Sequence, residues 1–136
     1  MRIVLDTNVI VSALVFGGLP RRLFELVENG YHEFFYSATI QEECSRVLRA
    51  KFDWDRAALD RYLSTIWALG TRVAPRTRVR AILEDPDDDR ILECAVAARA
   101  DAIVSGDRHL VRLEKYGVIA IVTPRQFLDE HGRDVM

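Results

Sequence analysis

The sequence predicts an α/β protein whose parallel sheet is covered by helices on both faces. Three observations carry this: short continuous apolar runs such as Ile3-Val4-Leu5, apolar patterns of helical period between them, and the alternation of the two along most of the chain. Such alternation joins parallel strands through helical crossovers of one hand.

Ile3 to Leu5 form the first strand, and helical patterns begin near Val9 and again at Pro20, the latter through Leu23, Phe24, Leu26 and Val27. Asn29-Gly30 ends that helix, because both residues tolerate the left-handed cap conformation. Phe34 to Tyr36 make the second strand. Ser37 or Thr39 then caps a helix carrying Ile40, Cys44, Val47 and Leu48, and a further helix runs from about Asp55 to Leu69. Arg72 to Ala74 form a weak third strand, and Pro75 to Arg80 a loop or helical turn. A helix through Ile91, Leu92, Ala95 and Ala98 leads into a fourth strand, Ala102 to Val104. The fifth is Val118 to Val122, after which Thr123-Pro124 opens the last helix as N-cap and first helical residue.

At 136 residues the chain fits one domain, 1–136, with the last few residues expected to fray. Its 49% hydrophobic and 29% charged residues are those of an ordinary globular protein. A net charge of -2 excludes a global attraction to nucleic acid, so any such contact must be local. All the basic residues except Lys51 and Lys115 are Arg, which suits phosphate contact as well as surface solvation. Cys44 and Cys94 lie far apart, in no CxxC pair and beside no His, which argues against a zinc site and for two free, buried thiols. Asp6 and Asn8 interrupt any signal-peptide core, and no stretch reaches membrane-spanning length, so a cytoplasmic protein is expected.

The acids carry the chemistry. Ligands of open α/β sheets bind outside the carboxyl ends of the strands. Asp6 ends the first strand, Glu42 and Glu43 open the helix after the second, Asp85 to Asp89 open the helix before the fourth, and Asp107 follows the fourth. All four groups fall on one edge. Acids are common at helix starts for electrostatic reasons alone. Asp85, before Pro86 and three residues before Asp88, has the spacing of an N-cap, and Asp85 and Asp87 read as mainly structural. Asp107 in Ser105-Gly106-Asp107-Arg108 reads by itself as a cap for a following helix.

At 100° per residue, Ile40, Cys44, Val47 and Leu48 form one stripe with Glu43 on its rim and Glu42 near the opposite face. The same wheel leaves Asp87, Asp88 and Asp89 open. Carboxylates crowded on one edge repel unless a cation neutralises them. Oxygen-only ligands favour Mg2+ or Mn2+, whose chemistry is phosphodiester hydrolysis.

Four stretches, RIVLDTNVIVSAL, EECSRVLRAKF, DPDDDRILECAVAARADAIVSGDRHL and IVTPRQFL, give the chain a resemblance that runs nearly end to end. It resembles the PIN-domain ribonucleases, especially the VapC-like toxins of toxin-antitoxin systems. That resemblance implies a three-layer α/β/α sandwich around a mostly parallel sheet of about five strands, and an Mg2+ or Mn2+ site for cleaving RNA. It makes Asp6, Glu43, Asp89 and Asp107 the metal-site and catalytic acids, with Asp88 as an accessory. Asn8 and Ser105 match small polar positions that orient the acids, water or substrate. Arg46, Arg49, Arg90 and Arg108 are candidates for holding the RNA backbone, although any one Arg is more often a solvated surface residue. The resemblance also implies an antitoxin partner and a homodimer, with the helical region around Trp54, Tyr62 and Trp67 serving core packing or a subunit interface.

Rival readings fare worse. A haloacid-dehalogenase-type phosphohydrolase needs a second Asp two positions after the first, where this chain has Asn8, and a receiver domain needs an Asp after the third strand, where it has Val73-Ala74-Pro75. A PIN-like binding module with a degenerate site is the non-enzymatic alternative, and the complete set of acids argues against it.

Overall fold

The computed structural model describes residues 1–53, 55–81 and 86–132, apart from the side chains of Phe52 and Pro86. Trp54, the N-cap expected at Asp85 and the fraying expected at the C-terminal tail lie outside the described residues.

The first strand, β1 (Arg2–Leu5), runs into Asp6, which caps α1 (Thr7–Val15) by accepting the Val9 amide. The helix starts two residues before the expected Val9 because the Asp6 carboxylate satisfies an otherwise orphaned N–H. Helix α2 (Gly18–Glu28) likewise starts before Pro20, which sits in the first turn where its missing N–H is harmless. It closes at Asn29, with Gly30 in the left-handed region at φ 79°.

Strand β2 (Glu33–Tyr36) leads to Ser37, the N-cap of α3 (Ala38–Phe52). Asp55 caps α4 (Arg56–Trp67). Strand β3 is Gly70–Arg72, two residues earlier than the apolar Val73-Ala74 implied. Gly70 allows this pairing, since its register partner Phe34 presses directly on its backbone. Residues 73–81 are irregular, with a bend at Thr77 and no helical turn.

The chain continues through α5 (Pro86–Ala98), β4 (Ala102–Val104), α6 (Arg108–Val111), β5 (Lys115–Tyr116), β6 (Ile119–Val122) and α7 (Pro124–His131). Thr123 and Gln126 form a full capping box on α7, with Pro124 at its start as the sequence predicted. Strand β5 is an addition to the strands that the sequence predicts. Two residues are too few for a period, and it forms only because Gly117, at φ 61°, turns the chain back on β6.

The six strands are ordered β3-β2-β1-β4-β6-β5, all parallel except β5. From β1 the chain winds outward to β2 and β3, and α5 then returns it to β4 on the other side of β1. Right-handed crossovers therefore place α1 to α4 on one face and α5 on the other, the three-layer arrangement. The winding reverses between β1 and β4, and there the carboxyl edge opens a crevice.

Ile3, Val4, Leu5, Ile103 and Val104 are wholly buried at the centre, while Val11, Leu48, Leu59 and Leu63 join α1, α3 and α4 in a smaller cluster. Trp67 stacks on Phe34, and its carbonyl accepts the Tyr36 hydroxyl, a packing role. Among the described residues no helix is long and apolar enough to cross a membrane.

Candidate functional site

Leu5 of β1 pairs with Val104 of β4, so the next residues, Asp6 and Ser105, emerge side by side at the reversal point. Asp6 is only 5% exposed. Its Oδ1 accepts the Val9 amide at 2.9 Å, and its Oδ2 accepts the Ser105 hydroxyl. Ser105 Oγ accepts the Asp107 amide at 2.9 Å, and Asp107 Oδ1 accepts the His109 amide at 2.7 Å, capping α6. Capping and site-building thus coincide: the contacts that start α1 and α6 also fix two acids at one edge.

Between them lies a space of about 20 Å³, lined by Asp6, Thr7, Asn8, Glu43, Asp87, Asp88, Ile91 and Asp107. That volume suits one water or one ion. The lining comes from four places: the β1–α1 junction, α3, the first turn of α5 and the β4–α6 loop. Glu43 is half-buried here while Glu42 points to solvent, as the wheel predicts.

The structure therefore brings together Asp6, Asn8, Glu43, Asp88 and Asp107, with Ser105 beneath them. Asp89 is placed differently. It is 4% exposed, it is not among the lining residues, and its Oδ1 accepts the Ala81 amide at 3.0 Å. One turn on, Glu93 accepts the Val79 amide at 2.9 Å, and Arg90 pairs with Glu93 at 3.1 Å while donating to the Val79 carbonyl at 3.3 Å. Asp89, Arg90 and Glu93 thus clamp residues 79–81 onto α5. Arg46 and Arg49 are exposed on α3, with Arg49 Nε donating to the Ser45 carbonyl, and Arg108 is exposed beside Asp107.

Asp87, which reads in the sequence as mainly structural, also lines the pocket, and so does Thr7, whose buried hydroxyl has no hydrogen-bond partner among the described residues. The triplet Asp6-Thr7-Asn8 was the available signal for Thr7: the first turn after a strand delivers every residue to one edge.

Burial raises the Asp6 pKa to about 6; its hydrogen bonds from Ser105 and Val9 oppose the shift, and the charges of Asp107 and Glu43 add to it. Cys44 and Cys94 are free and buried as expected, and burial pushes the Cys94 thiol up to about 12 and Cys44 higher still. A thiol held protonated in this way is a poor nucleophile.

The donor set fits a hard divalent cation: oxygen ligands only, a desolvated carboxylate, an orphaned hydroxyl and space for one ion. Among the described residues no three acidic, His or Cys side chains are yet gathered at coordinating distance, so binding would require rotamer changes.

The PIN domain family model matches residues 2–109, a stretch that contains every residue lining the pocket. "Uncharacterized protein MJ1680" of Methanocaldococcus jannaschii is 25% identical over 143 residues, covering 96% of this chain and 91% of that protein. A chain from the crystal structure of VapBC2 from Rickettsia felis, bound to a DNA fragment from their promoter, aligns with a TM-score of 0.66 at 16% identity, over 89% of this chain and 97% of that one. This is a likeness of fold. By the match from β1 through β4, acidic crevice included, the chain belongs to the PIN domain family, whose members are generally nucleases that use divalent metal ions.

Proposed function

We propose that this chain is a divalent-metal-dependent endoribonuclease that holds Mg2+ or Mn2+ with Asp6, Glu43, Asp88 and Asp107. One observation carries the reading: carboxylates from four separate places in the chain converge on a pocket the size of an ion, around a buried Asp6. We assign Asp88 the place that the resemblance gave to Asp89, because Asp88 lines the pocket while Asp89 is bonded to Ala81.

A divalent ion in this pocket would neutralise the acids, polarise a phosphodiester and lower the pKa of water. The chain's own residues do the positioning. Val9 and Ser105 fix both oxygens of Asp6, and Ser105 ties Asp6 to the Asp107 backbone, so two of the acids hold a set separation. Asn8, exposed beside them, offers an amide donor to a phosphate oxygen, and Arg108 adds positive charge next to Asp107.

The test is cleavage of single-stranded and structured RNA with Mg2+, with Mn2+ and with EDTA. Cleavage should require the metal and be lost in Asp107→Asn with the fold retained. Cleavage that persists in EDTA or in that variant sinks the reading. RNA binding without cleavage under any metal condition would favour the degenerate binding module.

We further assign the chain the role of toxin in a cytoplasmic toxin-antitoxin pair, which the likeness to VapBC2 supports. The expected partners are an antitoxin segment and a second copy of the chain. A groove of about 140 Å³ among α1, α2 and α4, lined by Leu14, Phe24, Tyr62 and Ile66 together with Arg21 and Glu28, offers a mixed apolar and charged surface, and Phe16 is exposed just beyond α1. Gel filtration that shows only monomer counts against the homodimer.

A further inference from the structure

The acidic pocket repels the polyanion it is proposed to cut, so a substrate strand needs a basic approach to it. With a net charge of -2, the chain offers none globally. It does so locally: no Asp or Glu falls between Asp60 and Glu84, and Arg72, Arg76, Arg78 and Arg80 crowd the end of that interval. Basic residues usually serve solvation, and a charge run alone proves little. Three structural features separate this one from a solvated face.

The first is that the segment is held. Val79 is buried, its amide and carbonyl are bonded to Glu93 and Arg90, and Ala81 is bonded to Asp89. Arg78 and Arg80, on either side of buried Val79, are exposed, as is Arg76. The second is that these charges are uncommitted: among the described residues none of Arg76, Arg78, Arg80 or Arg99 has an ion-pair partner. The third is direction. Arg76 and Thr77 line a cleft of about 310 Å³ with Glu93 and Ala97 on the C-terminal half of α5 and Arg99 just past its end, whereas Ala81 meets Asp89, next to the pocket residue Asp88. The segment therefore runs antiparallel along α5 and ends at Asp89, one residue from the pocket-lining Asp88.

We propose that Arg76, Arg78 and Arg80, with Arg99 at the far end, form a track that binds the backbone of single-stranded RNA and leads it along α5 into the acidic pocket. From Ala97 to Asp88 the helix rises about 14 Å. That matches about four nucleotides at the stacked spacing of roughly 3.4 Å. Exposed Arg side chains at alternating positions suit a flexible strand read by its phosphates, with no base recognition implied. The proposal rests on the nuclease reading for the strand's destination, but the binding itself is measurable without cleavage.

The test compares the full chain with the triple variant Arg76→Ser, Arg78→Ser, Arg80→Ser. An unstructured RNA of about 12 nucleotides is the probe, titrated by fluorescence anisotropy in EDTA at several salt concentrations. Each phosphate contact to a single strand contributes about 0.7 to the slope of log affinity against log salt, so losing three should reduce that slope by about 2. The triple Arg→Lys variant should retain most of the slope. With metal present, cleavage of the 12-nucleotide RNA should fall 10-fold or more in the Ser variant, while cleavage of a dinucleotide, too short to reach the track, should not change. An unchanged salt slope, or a loss that Lys does not rescue, overturns the track. Tighter binding of duplex DNA than of single-stranded RNA overturns the assigned ligand. Wild-type chain that binds with the expected slope and cleaves nothing would sink the nuclease reading and leave the track standing.

Discussion

The Ser105 hydroxyl donates to Asp6 Oδ2, joining the residue after β4 to the residue after β1 at the point where the sheet reverses its winding. Ser105 Oγ also accepts the Asp107 amide, so one side chain spans two of the acids. Its hydrogen bond lowers the Asp6 pKa, against the larger effect of burial. Ser105→Ala should therefore raise that pKa further and loosen the acid pair. Loss of one buried hydrogen bond costs about 1 kcal/mol. Removing a group that orients a metal ligand typically costs 10- to 100-fold in metal affinity or activity. The expected outcome is a modest fall in Tm, a 10-fold or greater fall in kcat/KM, and a pH–rate profile whose acidic limb moves to higher pH. An unmoved limb would show that Ser105 serves packing alone.

Asp88 and Asp89 are adjacent and both buried, yet they should respond oppositely to the same substitution. Asp88 lines the pocket, and Asp89 holds the Ala81 amide. Asp88→Asn should abolish metal-dependent cleavage while the chain still folds and melts cooperatively. Asp89→Asn keeps an acceptor but weakens a charge-assisted bond, so about 1 kcal/mol of stability should be lost and cleavage reduced only partly. Loss of all activity in Asp89→Asn with Asp88→Asn still active would return the third ligand to Asp89.

This pair marks where the sequence stopped being legible. The alternation of strands and helices predicted a shared acidic edge, and helical geometry separated Glu43 from Glu42, because both depend on periods that run through whole elements. The first turn of α5 has no such period to use, so spacing leaves Asp87, Asp88 and Asp89 open; the fold puts Asp87 and Asp88 on the pocket and Asp89 on the Ala81 amide. Strand β3 was misplaced by two residues because Val73-Ala74 look more strand-like than Gly70-Thr71, and the fit of Gly70 against Phe34 leaves no local trace. The arginines at 76, 78 and 80 were visible as residues, but their direction along α5 depends on contacts to Glu93, Arg90 and Asp89 that no spacing encodes.

Gly70 supplies a stability test far from the acids. A β-carbon there would lie 2.5 Å from both Phe34 Cδ2 and the Phe34 carbonyl oxygen. The backbone oxygen cannot swing away, so β3 must shift outward or Phe34 must leave its packing with Phe24 and Trp67. Overpacking of this kind costs about 1–3 kcal/mol. Gly70→Ala should lower Tm by several degrees and leave the metal requirement for cleavage unchanged. A variant as stable as the parent would contradict the close pairing of β3 with β2.

Asp6 itself should be a stability liability until a cation arrives. Its folded pKa of about 6 lies above the ordinary value of 3.8, so the folded chain holds this proton more tightly than the unfolded chain does. The stabilising contribution is fully present below 3.8 and is lost as pH rises through about 6. At pH 7 the group is ionised and its cost is complete, on the order of 2–3 kcal/mol for a shift of this size. Asp6→Asn keeps an acceptor for Val9 and carries no charge. In EDTA at pH 7.5 it should melt several degrees above the parent, an advantage that shrinks as pH falls toward 4. Millimolar Mn2+ should raise the parent's Tm, since ligand bound only to the folded state stabilises it, and leave Asp6→Asn nearly unmoved. A parent that Mn2+ does not stabilise, or a variant that melts lower in EDTA, would show that the crowded carboxylates do not await an ion.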